Sequence, residues 1–201
     1  MHSAELFFSG LSSDAVAGLM GAVIGVVGTL GATWMAFWLQ KCGKISMHVR
    51  LVHSKGNVNL PWGFYLSERR TQLYMSVPIW LDVSNTSGVS RIIRDFNLEA
   101  YCQGEFVAEF TQLQCVCEGD TKIPLGQNEA YTLVIEGNNA KRYNMQFLLY
   151  QRDITKENKA IDELRFRYFD ENDKVQEFFF TKLDKCWIQG PLPTNKEWVA
   201  L

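Results

Sequence analysis

The chain has 201 residues, with 20 basic and 22 acidic side chains, a formal net charge of −2 and only 3 histidines. No lysine or arginine precedes Lys41, so once Glu5 and Asp14 are set aside the remainder holds acids and bases in equal number. A neutral body with no basic-aromatic stripe has no field with which to collect nucleic acid, and 5 cysteines, an odd count, make no disulfide framework.

Residues 1–14 are a short stub ahead of Ala15–Leu39, a stretch without a single charge. Such a run crosses a hydrocarbon core of about 30 Å as a tilted helix, so residues 15–40 are read as a transmembrane segment. A cleaved signal peptide needs a basic region ahead of a shorter apolar run, and here nothing basic leads. Basic residues collect on the cytoplasmic side of a span. Lys41, Lys44, Arg50 and Lys55 all follow it, which predicts the N-terminal stub outside and the C-terminal domain in the cytoplasm. Trp34, Trp38, Lys41 and Lys44 suit the membrane interface on that side, where half-wet indoles and ammonium groups sit. Leu6, Phe7 and Phe8 suit the opposite one.

Ala17, Gly21, Gly25, Thr29 and Thr33 recur every four residues and line one helix face. Small residues let two helix backbones approach, so this face is expected to drive assembly, either of a homo-oligomer or with a membrane-protein partner. Cys42 follows directly: an ordinary thiol, or a palmitoylation site in a eukaryotic host.

Residues 44–190 read as one antiparallel β domain and 191–201 as a tail. In Lys44–His53, Ile45, Met47, Val49 and Leu51 alternate with Ser46, His48 and Arg50, the pattern of a half-buried strand. Ser54–Arg70 reads as a loop broken at Pro61-Trp62-Gly63. Its Trp62, Phe64 and Tyr65 either plug the core or, with Trp198, offer an interaction surface to lipid or a partner. Gln72–Ser84 has the clearest alternation, with Leu73, Met75, Val77, Ile79, Leu81 and Val83 on one side. Pro78 there implies an edge position or a bulge. Asn85-Thr86-Ser87-Gly88 makes a turn. A strand from about Ile92 to Cys102 then turns at Gln103-Gly104 into Glu105–Gln114, with Phe106, Ala108 and Phe110 alternating with Val107 and Glu109.

Ala130–Glu136 is a further strand, and Tyr143–Arg152 is read as a strand on its aromatic content. Ile154–Asp162 is polar, with one helical turn. Glu163–Phe169 and Lys174–Leu183 form a hairpin about Asp170-Glu171-Asn172-Asp173. The tail is expected to be extended at Gly190–Pro193, with Thr194 capping a turn that carries Trp198. Short strands at this spacing give a mainly β fold: an antiparallel immunoglobulin-like β-sandwich preceded by a single transmembrane α-helix. The bridged cysteines and core tryptophan of true immunoglobulin domains are absent.

No chemistry stands out. Cys115 and Cys117 are separated by one residue where structural zinc loops use two or more, and His48 and His53 lie on opposite strand faces. There is no Gly-x-Ser-x-Gly elbow and no phosphate-cradling loop. Asp170, Glu171 and Asp173 lack the spacing and glycine of a calcium loop. The expectation is therefore no catalytic residue, no metal and no cofactor.

The leading expectation is a single-pass scaffold or interaction protein, not an enzyme. Its cytoplasmic sandwich would bind a protein partner or itself, by strand addition for example. The alternative is a ligand-gated membrane effector, for example of cellular defence, in which a small-molecule-sensing domain acts on an oligomeric span.

Overall fold

The computed structural model describes residues 13–53, 60–67, 71–113, 115–118, 121–124, 132–155, 160–194 and 197–201. The chain divides into two compact units, the first ending at Gly43 and the second beginning at Lys44. Within the first, Ser13–Lys41 is one unbroken α-helix of 29 residues with no buried side chain. At 1.5 Å per residue it is about 44 Å long, long enough and apolar enough to cross a membrane. Asp14 in its first turn and Lys41 in its last complement the helix dipole. The hydroxyls of Thr29 and Thr33 donate back to the carbonyls of Gly25 and Thr29, at 3.0 and 2.8 Å, so the helix leaves neither unsatisfied in an apolar medium.

Fourteen strands follow among the described residues. They are β1 (Ile45–Leu51), β2 (Gly63–Leu66), β3 (Leu73–Asn85), β4 (Arg91–Cys102), β5 (Glu105–Glu109), β6 (Thr111–Leu113) and β7 (Cys115–Glu118). Then come β8 (Thr121–Pro124), β9 (Leu133–Ile135), β10 (Asn139–Tyr150), β11 (Glu163–Phe169), β12 (Val175–Lys182), β13 (Gly190–Pro191) and β14 (Val199–Ala200). One sheet has seven strands: the order β13-β2-β3-β1-β14, with β10 on β3 and β6 on β10. The other has five: β12-β11-β4-β5, with β9 on β4. β7 and β8 pair with each other. Every pairing is antiparallel.

The alternation of β3 sets the core. Met75, Val77, Ile79, Leu81 and Val83 are all buried, and they face the five-stranded sheet's Phe96, Leu98, Leu164 and Phe166 in one cluster. Phe147 of β10 lies 6.5 Å from Phe96 and 6.0 Å from Phe166, so phenylalanines lock the two sheets face to face. Burying each such ring contributes about 1.5–3 kcal/mol.

Pro78 sits in the middle of the longest strand, not at the sheet's edge. β10 runs along one side of β3 from Tyr74 to Asn85. On the other side β1 pairs with Ile79–Asn85 and β2 with Leu73–Ser76. The carbonyl of Pro78 accepts from Val52 on that second side, at 3.1 Å. A strand residue's N–H and C=O point the same way, so the missing N–H falls in the gap between β1 and β2. The edge requirement is met locally.

Three other expectations change. Gly63–Leu66 is strand β2 inside the stretch read as a loop, because β13 pairs with it from the tail. The expected strand Glu105–Gln114 is two strands in different sheets: β5 pairs with β4 and β6 with β10, and Phe110 is buried at the crossing. A register shift opposite Ala100 and Tyr101 also turns Phe106 outward, 47% exposed, and Val107 inward. Finally, the tail belongs to the second unit and adds two short strands that were not expected: β13 lies on β2 and β14 on β1, while part of the turn expected after Thr194 lies outside the described residues. The turn Gln103-Gly104 is as read, with φ of +52° and +79°, the conformation of the tight hairpin turn that favours glycine.

Candidate interaction surface

The outer face of the five-stranded sheet is built from the residues of β4, β11 and β12 that alternate with the core. Cross-strand register sets Arg167 between Glu177 and Asn97, and Arg165 between Phe179 and Glu99. The middle of this face is charged and internally paired. Glu99 accepts from the Tyr101 hydroxyl at 2.8 Å and lies 3.7 Å from Arg167. Arg167 also pairs with Asp95 at 3.2 Å, and Arg165 with Glu163. The Arg165 guanidinium stacks 4.2 Å over the Tyr101 ring, adding a cation–π contact.

Burial pushes the Glu99 carboxyl up from its ordinary range, against the Tyr101 hydrogen bond and Arg167, which pull it down. Burial and the bond to Glu99 raise Tyr101 as well, and burial raises Tyr168, half-buried against the core, to about 12.

Apolar side chains lie around this charged centre rather than in it. Phe179 is 52% and Val175 46% exposed, both on β12. Partner interfaces usually have an apolar middle and a polar rim, so this face is inverted and does not form a conventional docking patch. The apolar surface belongs to the edge. Among the described residues, β12 pairs with β11 on one side and with nothing on the other. Eight residues long, it presents Val175, Glu177 and Phe179 outward along an open edge. Natural edges of this length are normally shortened, charged or covered.

The hairpin tip between β11 and β12 is a turn, as its sequence suggests. Asp170 accepts from the backbone N–H groups of Lys174 and Asn172, at 3.0 and 2.8 Å, and these bonds hold its carboxyl below the usual range. Glu171 pairs with Arg91 and Asp173 with Arg94, so the acids pin the tip to β4. Among the described residues no group of three metal-ligating side chains occurs. The side chains of Cys115 and Cys117 lie outside the described part of the chain, as do Leu6–Phe8 and Lys55.

The residues singled out in the sequence separate into distinct environments. Trp62 and Phe64 are 4% and 0% exposed and pack into the core, so they present no broad surface to lipid or a protein partner. Phe64 packs on Trp187 with ring centroids 5.1 Å apart, and the Trp62 indole donates to the Pro193 carbonyl at 3.0 Å. Tyr65 is half-buried and donates to the Pro61 carbonyl at 2.6 Å. Trp198 is exposed on the outer face of the seven-stranded sheet. There Arg142 holds Asp82 through two bonds, at 2.6 and 2.7 Å, and lies between the rings of Trp80 and Trp198, at 4.8 and 5.3 Å. That stack clasps the tail to the sheet.

Ala17, Gly21, Gly25, Thr29 and Thr33 all lie within the helix, as do Trp34, Trp38 and Lys41, whose ammonium sits 4.3 Å over the Phe37 ring. A Cβ built on Gly21 or Gly25 meets nothing within 4 Å. Lys44 is outside the helix, and its backbone N–H donates to Thr86 at 3.0 Å.

One feature carried no signal beyond a turn. Asn85, fully buried, donates to the carbonyls of Val89, Ile135 and Glu136 at 2.8, 3.2 and 3.1 Å. It accepts from the backbone and hydroxyl of Ser87 at 3.0 and 2.6 Å. This one amide fastens the β3–β4 turn to the end of β9.

No protein-family model, curated protein or solved structure matches the chain.

Proposed function

We propose that this protein is a single-pass membrane-anchored interaction module, whose β domain joins a protein partner or a second copy of itself by adding a strand at the β12 edge. The observation that carries the reading is that edge: eight residues without a neighbouring strand among the described residues, exposing Val175 and Phe179. Main-chain bonds supply affinity in strand addition, and alternate side chains supply selectivity. An immunoglobulin-like sandwich suits this role, since its two sheets leave edge strands to be used or guarded.

The exposed apolar helix supports a bilayer anchor. The basic residues that follow it, Lys41, Lys44 and Arg50, favour a cytoplasmic domain and an outer N-terminus. Cys42, Gly43 and Lys44 are the residues between the helix and β1. The small-residue face from Ala17 to Thr33 is proposed to pack against another helix in the bilayer, concentrating the edges for pairing.

Mild chemical crosslinking in intact membranes, followed by sizing of the tagged chain, tests this. A ladder of self-multiples supports a homo-oligomer, and one heavier band of another step supports a dedicated partner. A chain that remains monomeric contradicts the proposal.

A further inference from the structure

After β12 the chain forms a strap that closes back on the seven-stranded sheet. Leu183 N–H donates to the Asp162 carbonyl at 2.8 Å, and Leu192 N–H to the Trp62 carbonyl at 3.0 Å. Between these anchors Trp187 packs on Phe64, and beside it the strap borders an open cleft of about 550 Å³. That volume falls within the range of sites for small organic ligands.

The cleft's lining has two characters. Trp62, Leu183, Ile188 and Pro191–Pro193 make an apolar wall, while Lys182 and Lys185 with Asp184 give the remainder a net positive charge. Neither lysine stands in an ion pair among the described residues, although the arginines of the same sheet are paired. Trp187 is held at φ +56°, a conformation that bulky residues adopt only when the surroundings impose it. Its ring turns in against Phe64, and the next residue, Ile188, is left 59% exposed at the cleft. Ile188 is exposed beside two ammonium groups that form no ion pair among the described residues. It suits a ligand with an apolar body and one anionic end.

We propose that this cleft binds a small amphipathic organic anion, with Lys182 and Lys185 holding its phosphate or carboxylate and the Trp62–Ile188–Pro191 wall holding its apolar body. The proposal is independent of pairing at the β12 edge, and either can fail without the other.

The test is isothermal titration of the full chain in nanodiscs of neutral lipid, with empty nanodiscs subtracted. The probes are 1-naphthyl phosphate, 1-naphthylacetate and the neutral 2-(1-naphthyl)ethanol. The expected result is saturable binding of the anions and not of the alcohol. The tighter of the two anions identifies the natural head group as a phosphate ester or a carboxylic acid. Lys182→Ala and Lys185→Ala should each weaken binding about tenfold, the loss of one charge-assisted contact. Both are surface positions whose thermal melting should not change. Ile188→Ser should weaken all binding while leaving the preference for anions intact. Equal binding of the alcohol, absence of saturable binding, or an unchanged affinity in the doubly substituted chain would overturn the proposal.

Discussion

Gly63 and Gly190 approach so closely that a Cβ added to Gly63 would meet the Gly190 carbonyl oxygen at 2.4 Å and the Pro191 Cα at 2.9 Å. Both obstacles are backbone, so neither can move aside without breaking the β2–β13 pairing. Gly63→Ala should therefore destabilise the domain by about 1–3 kcal/mol, the usual cost of overpacking. Limited proteolysis should show the strap cut earlier than in the parent protein. An unchanged melting temperature together with unchanged proteolysis would show that the strap does not depend on this contact.

Asn85 supplies a second, independent fastening. Asn85→Leu removes a buried amide and leaves the Val89, Ile135 and Glu136 carbonyls without this donor. The Val89 carbonyl keeps the Ser87 hydroxyl as a donor, and a buried polar group left without its partner costs about 1–3 kcal/mol, so a loss of about that size is expected in urea unfolding. Gly137→Ala should act on the same junction, because its Cβ would lie 2.5 Å from the Gly88 carbonyl carbon and oxygen.

The strands with a clear alternation were legible from sequence: β1, β3 and the β11–β12 hairpin follow their apolar period because one face of each meets the core, whereas β10 showed only in its aromatic content and begins at Asn139, ahead of the stretch read as strand. What could not be read depends on partners distant in the chain. β2 is a strand only because Gly190–Pro191 returns to it, and Phe106 faces outward because of a register shift fixed by β4. Trp62 and Phe64, aromatic residues in an apparent loop, gave no means of separating a core plug from a surface. Of the surface itself, strand periodicity marked β12, but that it lies at a sheet's edge is a property of topology. The cleft is made by a strap whose Gly-Pro-Leu-Pro reads only as extended.

Glu99 should leave a signature in the pH dependence of stability. Its carboxyl is raised in the folded state, so folding holds its proton more tightly than the unfolded chain does. Its contribution is therefore unfavourable above the folded value and is relieved as pH falls toward the ordinary carboxylate value. Glu99→Gln retains an acceptor for the Tyr101 hydroxyl without the charge. Thermal melts should show the variant more stable than the parent at about pH 8 and equal to it near about pH 4, where the parent's carboxyl is protonated. A variant less stable at pH 8 would mean that pairing with Arg167 outweighs the cost of burial.

The helix face offers a test confined to the membrane. Leucine at both Gly21 and Gly25 fills the space that lets two backbones approach, and nothing within 4 Å in the chain itself opposes it. Assembly in mild detergent should weaken, while the thermal transition of the β domain stays where it was. An oligomer of unchanged size after the double substitution would exclude this face as a packing surface.

Pairing at the β12 edge is tested most directly by placing a photo-crosslinking residue at Phe179 and, as a control, at Gln103, the exposed tip of the β4–β5 hairpin on the opposite strand pair. Irradiation of intact membranes should yield a defined adduct, to a second copy or to one partner, from position 179 and not from position 103. No adduct at 179, or the same adducts from both positions, would contradict the assignment of this edge as the interaction surface.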